Sequence, residues 1–316
     1  MINICKKAVA LMILLALSLS LFSCEAVNEI ISGLTGSEET QDAKEPDAND
    51  NKPVDKLPED DNQSENNNTN DTTTDKKPED DKVDDMENEI TKWLALDRER
   101  EYYDVLEGKT INFIGDSLFA GHSLGKDYTW PQLLLEKYSM EGVNQGISGC
   151  TLSACEGGAN PIVSRFDKLP DNNPDIVIFE GGRNDYNKDA AIGNWRYKDA
   201  DTYQGAIAIL VAGLREKYPN ALIIGVTFWK ANDRVNSGGK TCGEYTEAMK
   251  EACAALKVPY IDASDEDACG IKMTDADFRS QYSLNSSDVC HLNFEGMKIA
   301  LAFFEREIYR IYTTKK

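Results

Sequence analysis

Five short apolar runs, separated by stretches of helical spacing, limit what this chain can fold into more than any other feature. The runs are 111–114, a weaker one around Gly142-Val143-Asn144, then 175–180, 222–227 and 258–262. Ile176-Val177-Ile178-Phe179 is apolar without alternation, as a strand covered on both faces must be. Between the runs, Trp130-Pro131 opens one helix, since proline is tolerated in a first turn, and 160–169 reads as a second. Ile207, Leu210, Val211 and Leu214 share one face of a third, which Pro219 stops, and 244–256 and 294–312 supply two more. Strands alternating with helices of this length imply one doubly wound α/β domain on a parallel sheet, spanning 88–316. A charged amphipathic helix over 86–106 leads into it, offering Ile90, Trp93, Leu94 and Leu96 for docking.

The chain ahead of that domain is of another kind. Lys6-Lys7 precede an apolar run over 8–22, short for a bilayer span, so 1–23 reads as an export signal. The run ends in Leu21-Phe22-Ser23-Cys24, which resembles a bacterial lipobox, and cleavage there would leave Cys24 as a lipidated amino terminus. An ordinary cleaved signal and an uncleaved anchor are the competing readings. Residues 36–88 hold 19 acidic residues against 6 basic ones, so most of the net charge of −21 lies there, amid Asn, Thr and Pro. Such a segment has too little apolar surface to offset its own ordering entropy, and 24–87 is expected to be a disordered, acidic linker. The location implied is the extracytoplasmic surface of a bacterial cell, held to the membrane by the lipid anchor alone. With no basic face in the folded part, nucleic acid is excluded as a partner, and a monomer is expected.

Export also shapes the reading of the cysteines. Cys150, Cys155, Cys242, Cys253, Cys269 and Cys290 lie outside the leader, an even number in a compartment where disulfides form. Position suggests pairing Cys150 with Cys155 and Cys269 with Cys290. No Cys-x-x-Cys spacing occurs and only two histidines are present, which argues against zinc. Neither a Gly-x-Gly-x-x-Gly nor a Gly-Lys-Ser/Thr phosphate loop follows a strand, so no cofactor or metal is expected.

The chemistry centres on Gly115-Asp116-Ser117-Leu118, directly after the first run. In an open α/β sheet, ligands gather outside the carboxyl ends of the strands. A serine nucleophile needs a base, a group to orient that base, and donors for the oxyanion. Of the two histidines, His122 reads as a surface or helix-start residue, which leaves His291. His291 lies in the polar loop Ser287-Asp288-Val289-Cys290-His291, with Asp288 one turn ahead to orient it. Gly149 can offer a backbone N–H and Asn184 an amide N–H, to join the N–H of Ser117. Each also has an ordinary reading, Gly149 as a turn glycine and Asn184 as a helix cap.

Order and spacing make the set specific. Gly115-Asp116-Ser117-Leu118, Gly149, Gly182-Arg183-Asn184-Asp185 and Asp288-Val289-Cys290-His291 together resemble the four blocks of the SGNH, or GDSL-type, hydrolase family. Trp130-Pro131 and the stretch 144–151 are similar to that family as well, and the resemblance covers 111–301. It implies a flavodoxin-like three-layer α/β/α fold with a five-stranded parallel sheet. It also implies hydrolysis of esters by Ser117, His291 and Asp288, with Ser117, Gly149 and Asn184 as the oxyanion hole. Cys150 and Cys290 depart locally from the pattern.

For the substrate, Arg183, Tyr186, Trp195, Phe228 and Trp229 follow strands and are candidate walls of the cleft, Arg183 and Trp229 foremost. A short acyl ester such as acetyl, carried on a glycan or a small molecule, suits an enzyme tethered at a surface. A lipase or lysophospholipase, an acyltransferase, and a non-catalytic glycan-binding module use the same fold.

Overall fold

The computed structural model of the chain describes residues 78–231 and 234–315. The leader, Cys24 and most of the expected linker therefore lie outside the described residues. Among the described residues five strands form, β1 (Thr110–Gly115), β2 (Glu141–Gly146), β3 (Ile176–Glu180), β4 (Leu222–Val226) and β5 (Tyr260–Ile261). They make one parallel sheet in the order β2-β1-β3-β4-β5, the flavodoxin-like doubly wound order. The order reverses between β1 and β3, so the crevice for a ligand opens beyond the ends of those two strands.

β1 and β3 are buried along nearly their whole length, as their continuous apolar character requires. β2 pairs with β1 over six positions although its sequence, Glu-Gly-Val-Asn-Gln-Gly, carries almost no hydrophobic signal. Gly142 is needed there: at φ +138° an added Cβ would stand 1.8 Å from the Ile111 carbonyl oxygen. β5 is shorter than the run 258–262, because Pro259 has no N–H to give and offers only its carbonyl, to Gly225.

The major helices are α1 (Pro78–Arg100), α3 (Trp130–Lys137), α5 (Tyr203–Lys217), α6 (Cys242–Ala255) and α9 (Phe294–Thr314). Short ones are α2 (Ser117–Ala120), α4 (Arg183–Asn187), α7 (Glu266–Cys269) and α8 (Ala276–Tyr282). Right-handed crossovers running to opposite edges of the sheet put α3 on one face and α5 and α6 on the other. The packing of α3 on α9 and of α5 on α6 agrees. Trp130 stacks on Phe304 at 4.0 Å between ring centroids, joining α3 to α9. Lys137, wholly buried, reaches Asp97 of α1 at 2.6 Å and Glu305 of α9 at 2.9 Å, so one ammonium ties three helices.

Three sequence expectations need correction. The leading helix starts at Pro78, inside the expected linker, and docks through Ile90 and Leu94, whereas Leu96 is 62% exposed on the opposite side. The stretch 160–169 forms two 3₁₀ turns, Ile162–Ser164 and Phe166–Lys168, rather than an α-helix. Arg165 breaks the helical path at φ −135° and sends its guanidinium to the carbonyls of Gln145 and Gly115, both at 2.8 Å. Finally, all six cysteines of the domain are thiols rather than halves of disulfides. The expected partners face separate surroundings: Cys150 Sγ lies 3.3 Å from the Gly115 carbonyl, and Cys269 Sγ accepts from the Ile271 N–H at 3.3 Å. Burial pushes the Cys150 thiol up to about 12 and that of Cys269 up to about 11, so both are poor thiolates.

Candidate active site

β1 ends at Gly115, and Asp116 caps the short helix α2 by accepting the Leu118 N–H at 2.9 Å. This puts Ser117 at the first helical position, where the backbone N–H has no intrahelical partner. On the far side of the crevice, the loop between α8 and α9 is folded on itself. Asp288 Oδ1 accepts the N–H groups of Cys290 and His291, both at 2.8 Å. The Trp229 indole donates to the Cys290 carbonyl at 2.7 Å, bracing the loop against the segment that follows β4.

Ser117 here meets an Asp288–His291 pair whose histidine lies 174 residues further along the chain. His291 Nε2 lies 3.0 Å from Ser117 Oγ, and its Nδ1 lies 3.0 Å from Asp288 Oδ2. With Nδ1–H donating to Asp288, Nε2 is left to accept the serine proton. Burial holds the His291 imidazole below its ordinary value, against the opposing pull of Asp288, while His122 and Arg183 push in the same direction as burial. Burial raises the Asp288 carboxyl, but the two N–H groups and the imidazole outweigh it, and the net direction is down. The imidazole is therefore neutral and the carboxyl ionised near neutral pH, the states a proton-accepting histidine and its orienting carboxylate require.

Gly149 sits exposed at φ +78°, with no atom within 4 Å of the place a Cβ would occupy. Its loop is held from below by Asp185, whose carboxylate takes the N–H of Leu152 at 2.7 Å and the N–H of Ser153 at 2.9 Å. The Ser153 hydroxyl completes that set at 2.5 Å. Asn184 Nδ2 donates to Asp116 Oδ2 at 3.1 Å and to the Cys150 carbonyl at 2.9 Å. The amide is thus placed between Asp116 and the Gly149 loop, with its hydrogens held by the scaffold.

Of the expected cleft walls, Arg183 is 8% and Trp229 2% exposed, and Phe228 and Tyr186 are buried too. Arg183 Nη1 lies 3.0 Å from Cys242 Sγ and its guanidinium lies over the Tyr186 ring. Trp195 is half-buried. Two contributors escaped the sequence reading. One is Glu180, 1% exposed at the end of β3, whose Oε2 accepts the Asp116 N–H at 3.2 Å. The other is His122, whose ring stacks on that of His291, with centroids 4.2 Å apart and planes 13° from parallel. Glu180 carried a signal, an acid closing an apolar run at a strand end; nothing local marked His122.

A flavodoxin-like sheet with a serine, an imidazole and a carboxylate at its switch point is the architecture of an α/β ester-bond hydrolase. The chain matches the model of the GDSL-like lipase/acylhydrolase family over residues 113–299, and it belongs to that family. No curated protein matches it. Among solved structures, one of 24% identity aligns over 65% of this chain and 98% of its own, with a TM-score of 0.60. A Lactobacillus plantarum protein aligns at 21% identity over 64% of this chain and 97% of its own, with a TM-score of 0.56. A possible lipase from Chitinophaga pinensis aligns at 16% identity over 64% of this chain and 98% of its own, at 0.51. At these identities the likeness speaks for the fold.

Proposed function

We propose that the chain is a serine esterase that removes short acyl groups, acetyl foremost, from a polysaccharide. The observation that carries this reading is the 3.0 Å approach of His291 Nε2 to Ser117 Oγ, with Asp288 on the other ring nitrogen. In the reaction, His291 takes the hydroxyl proton as Ser117 Oγ bonds to the acyl carbon. The oxyanion is held by the N–H groups of Ser117 and Gly149 and by the Asn184 amide, which shares or exchanges its bond to the Cys150 carbonyl. His291 then protonates the departing sugar oxygen. Water, deprotonated by His291, attacks the acyl-Ser117 ester and releases the acid.

The choice of a short acyl group on a glycan rests on the exposed Gly149 corner and on the leader and acidic tether of the sequence, which suit an enzyme lipidated at Cys24 and working at the bacterial surface. The test is a panel of acetylated polysaccharides, nitrophenyl esters of increasing chain length, and lysophospholipids, read by released acid. Preference for acetyl esters of glycans supports the reading. Preference for long chains replaces it with a lipase, and acyl transfer to added sugar without released acid replaces it with a transferase. Glycan binding with no turnover of any ester would leave a binding module.

A further inference from the structure

α2 ends in a strained turn. Gly121 is left-handed at φ +79° and His122 follows at φ +47°, a region a non-glycine residue seldom enters, although histidine is among the more tolerant. The turn is closed by two backbone bonds, Gly121 N–H to the Ser117 carbonyl at 2.9 Å and Leu124 N–H to the Gly121 carbonyl at 2.8 Å. Gly121 cannot be replaced without moving the backbone, since a Cβ there would meet the Gly125 carbonyl oxygen at 2.4 Å. The result is an imidazole fixed to the same rigid turn as Ser117 and laid over the face of His291. Backbone strain next to a reactive group is a pointer to function, and here it delivers one particular contact.

We propose that His122 is a positioning residue for the base: its ring, stacked on His291, fixes the imidazole plane in the line from Asp288 to Ser117. This rests on the reading of Ser117 and His291 as nucleophile and base. The in-plane rotation and tilt of His291 are set at its edges by Asp288 and Ser117, both at 3.0 Å, but these bonds leave one face of the ring to be constrained by packing. His122 covers a face, and the near-parallel 13° alignment is what a planar clamp needs. The groups facing His291 are Asp288 from its own loop, His122 from the turn after α2, and Arg183 from α4; of these His122 and Arg183 oppose its protonation.

The experiment is kcat/KM against pH on nitrophenyl acetate for the full chain and for His122→Ala, His122→Phe and Ser117→Ala. His122→Ala is expected to lose about threefold to tenfold, the size of an aromatic stacking contact, mainly in kcat. His122→Phe should restore the plateau rate, because it keeps a stacking face. Its acid limb should nonetheless move to higher pH, because an imidazole that opposed protonation of His291 is gone. His122 is exposed, so the Ala and Phe variants should lose no core packing. Both should share the same small drop in melting temperature from the φ +47° backbone, which separates stability from the rate difference between them. Wild-type rates and pH profiles in both His122 variants, with Ser117→Ala inactive, would overturn the proposal while leaving the nucleophile in place. An Ala loss that Phe does not restore would overturn it too. An active Ser117→Ala would remove both the proposal and the reading beneath it.

Discussion

The N–H of Asp116 donates to Glu180 Oε2, so a buried acid lies directly under the residue that precedes Ser117. Burial of Glu180 and the charge of Asp116 beside it both oppose its ionisation. Asp116 already accepts from Leu118 and Asn184, whereas Glu180 Oε1 has no donor within reach. The proton therefore belongs on Glu180, and burial raises its carboxyl well above the ordinary range. A neutral Glu180 still accepts the Asp116 N–H, and the Asp116 carboxylate in turn holds the Asn184 amide.

Glu180→Gln keeps an acceptor for the Asp116 N–H and should retain activity near neutral pH, whereas Glu180→Leu leaves that N–H unpaired and should lose at least about tenfold in kcat. The folded chain binds this proton more tightly than the unfolded chain, so stability falls as pH rises from the ordinary carboxylate range toward the folded value. Glutamine has no proton to lose, and unfolding of Glu180→Gln against pH should show a flatter decline. An unchanged slope would mean that Glu180 is not the group that holds the proton.

The pH profile follows from His291. Its imidazole lies below its ordinary value, chiefly through burial, so the acid limb of kcat/KM should fall below the roughly 6.5 of a free histidine. Asp288 raises the His291 value, so Asp288→Asn should move that limb lower still while kcat drops on the order of 10³–10⁴-fold. A limb that moved upward in the variant would contradict the assignment.

Asp185 is a prediction about stability. It is fully buried, and its carboxylate satisfies three donors from Leu152 and Ser153. Asp185→Ala leaves those donors without a partner, at about 1–3 kcal/mol for each buried group that water cannot reach. Denaturant unfolding reads the loss, and a change under ~0.5 kcal/mol would show that the loop does not depend on it.

The thiols are tested by mass. Alkylation of the unfolded chain without reductant should modify all six domain cysteines, and reductant should add nothing. A mass difference would reinstate a disulfide. The expectation of pairing rests on compartment and count, which say where disulfides are permitted but not which side chains face each other.

That contrast runs through the whole domain. β1, β3 and β4 are legible because strands buried on both faces are written as unbroken apolar runs. β2 is faint because an edge strand needs little apolar surface, and Gly142, Asn144 and Gly146 serve the backbone and the neighbouring turn instead. Ser117, His291 and Asp288 can be read because histidine is scarce and the acid is local to its partner. Arg165, Asp185, Glu180 and His122 act through contacts fixed only by the tertiary fold, and no periodicity records such contacts. Trp229 follows the same logic: a tryptophan after a strand is a candidate cleft wall, yet its indole is committed to the Cys290 carbonyl.

The central claim is that Ser117 is the nucleophile, and its most direct measurement is steady-state hydrolysis of nitrophenyl acetate by the full chain and by Ser117→Ala. The account requires kcat to fall by on the order of 10³-fold or more, with the fold and melting temperature unchanged. Equal rates in the two proteins would contradict it.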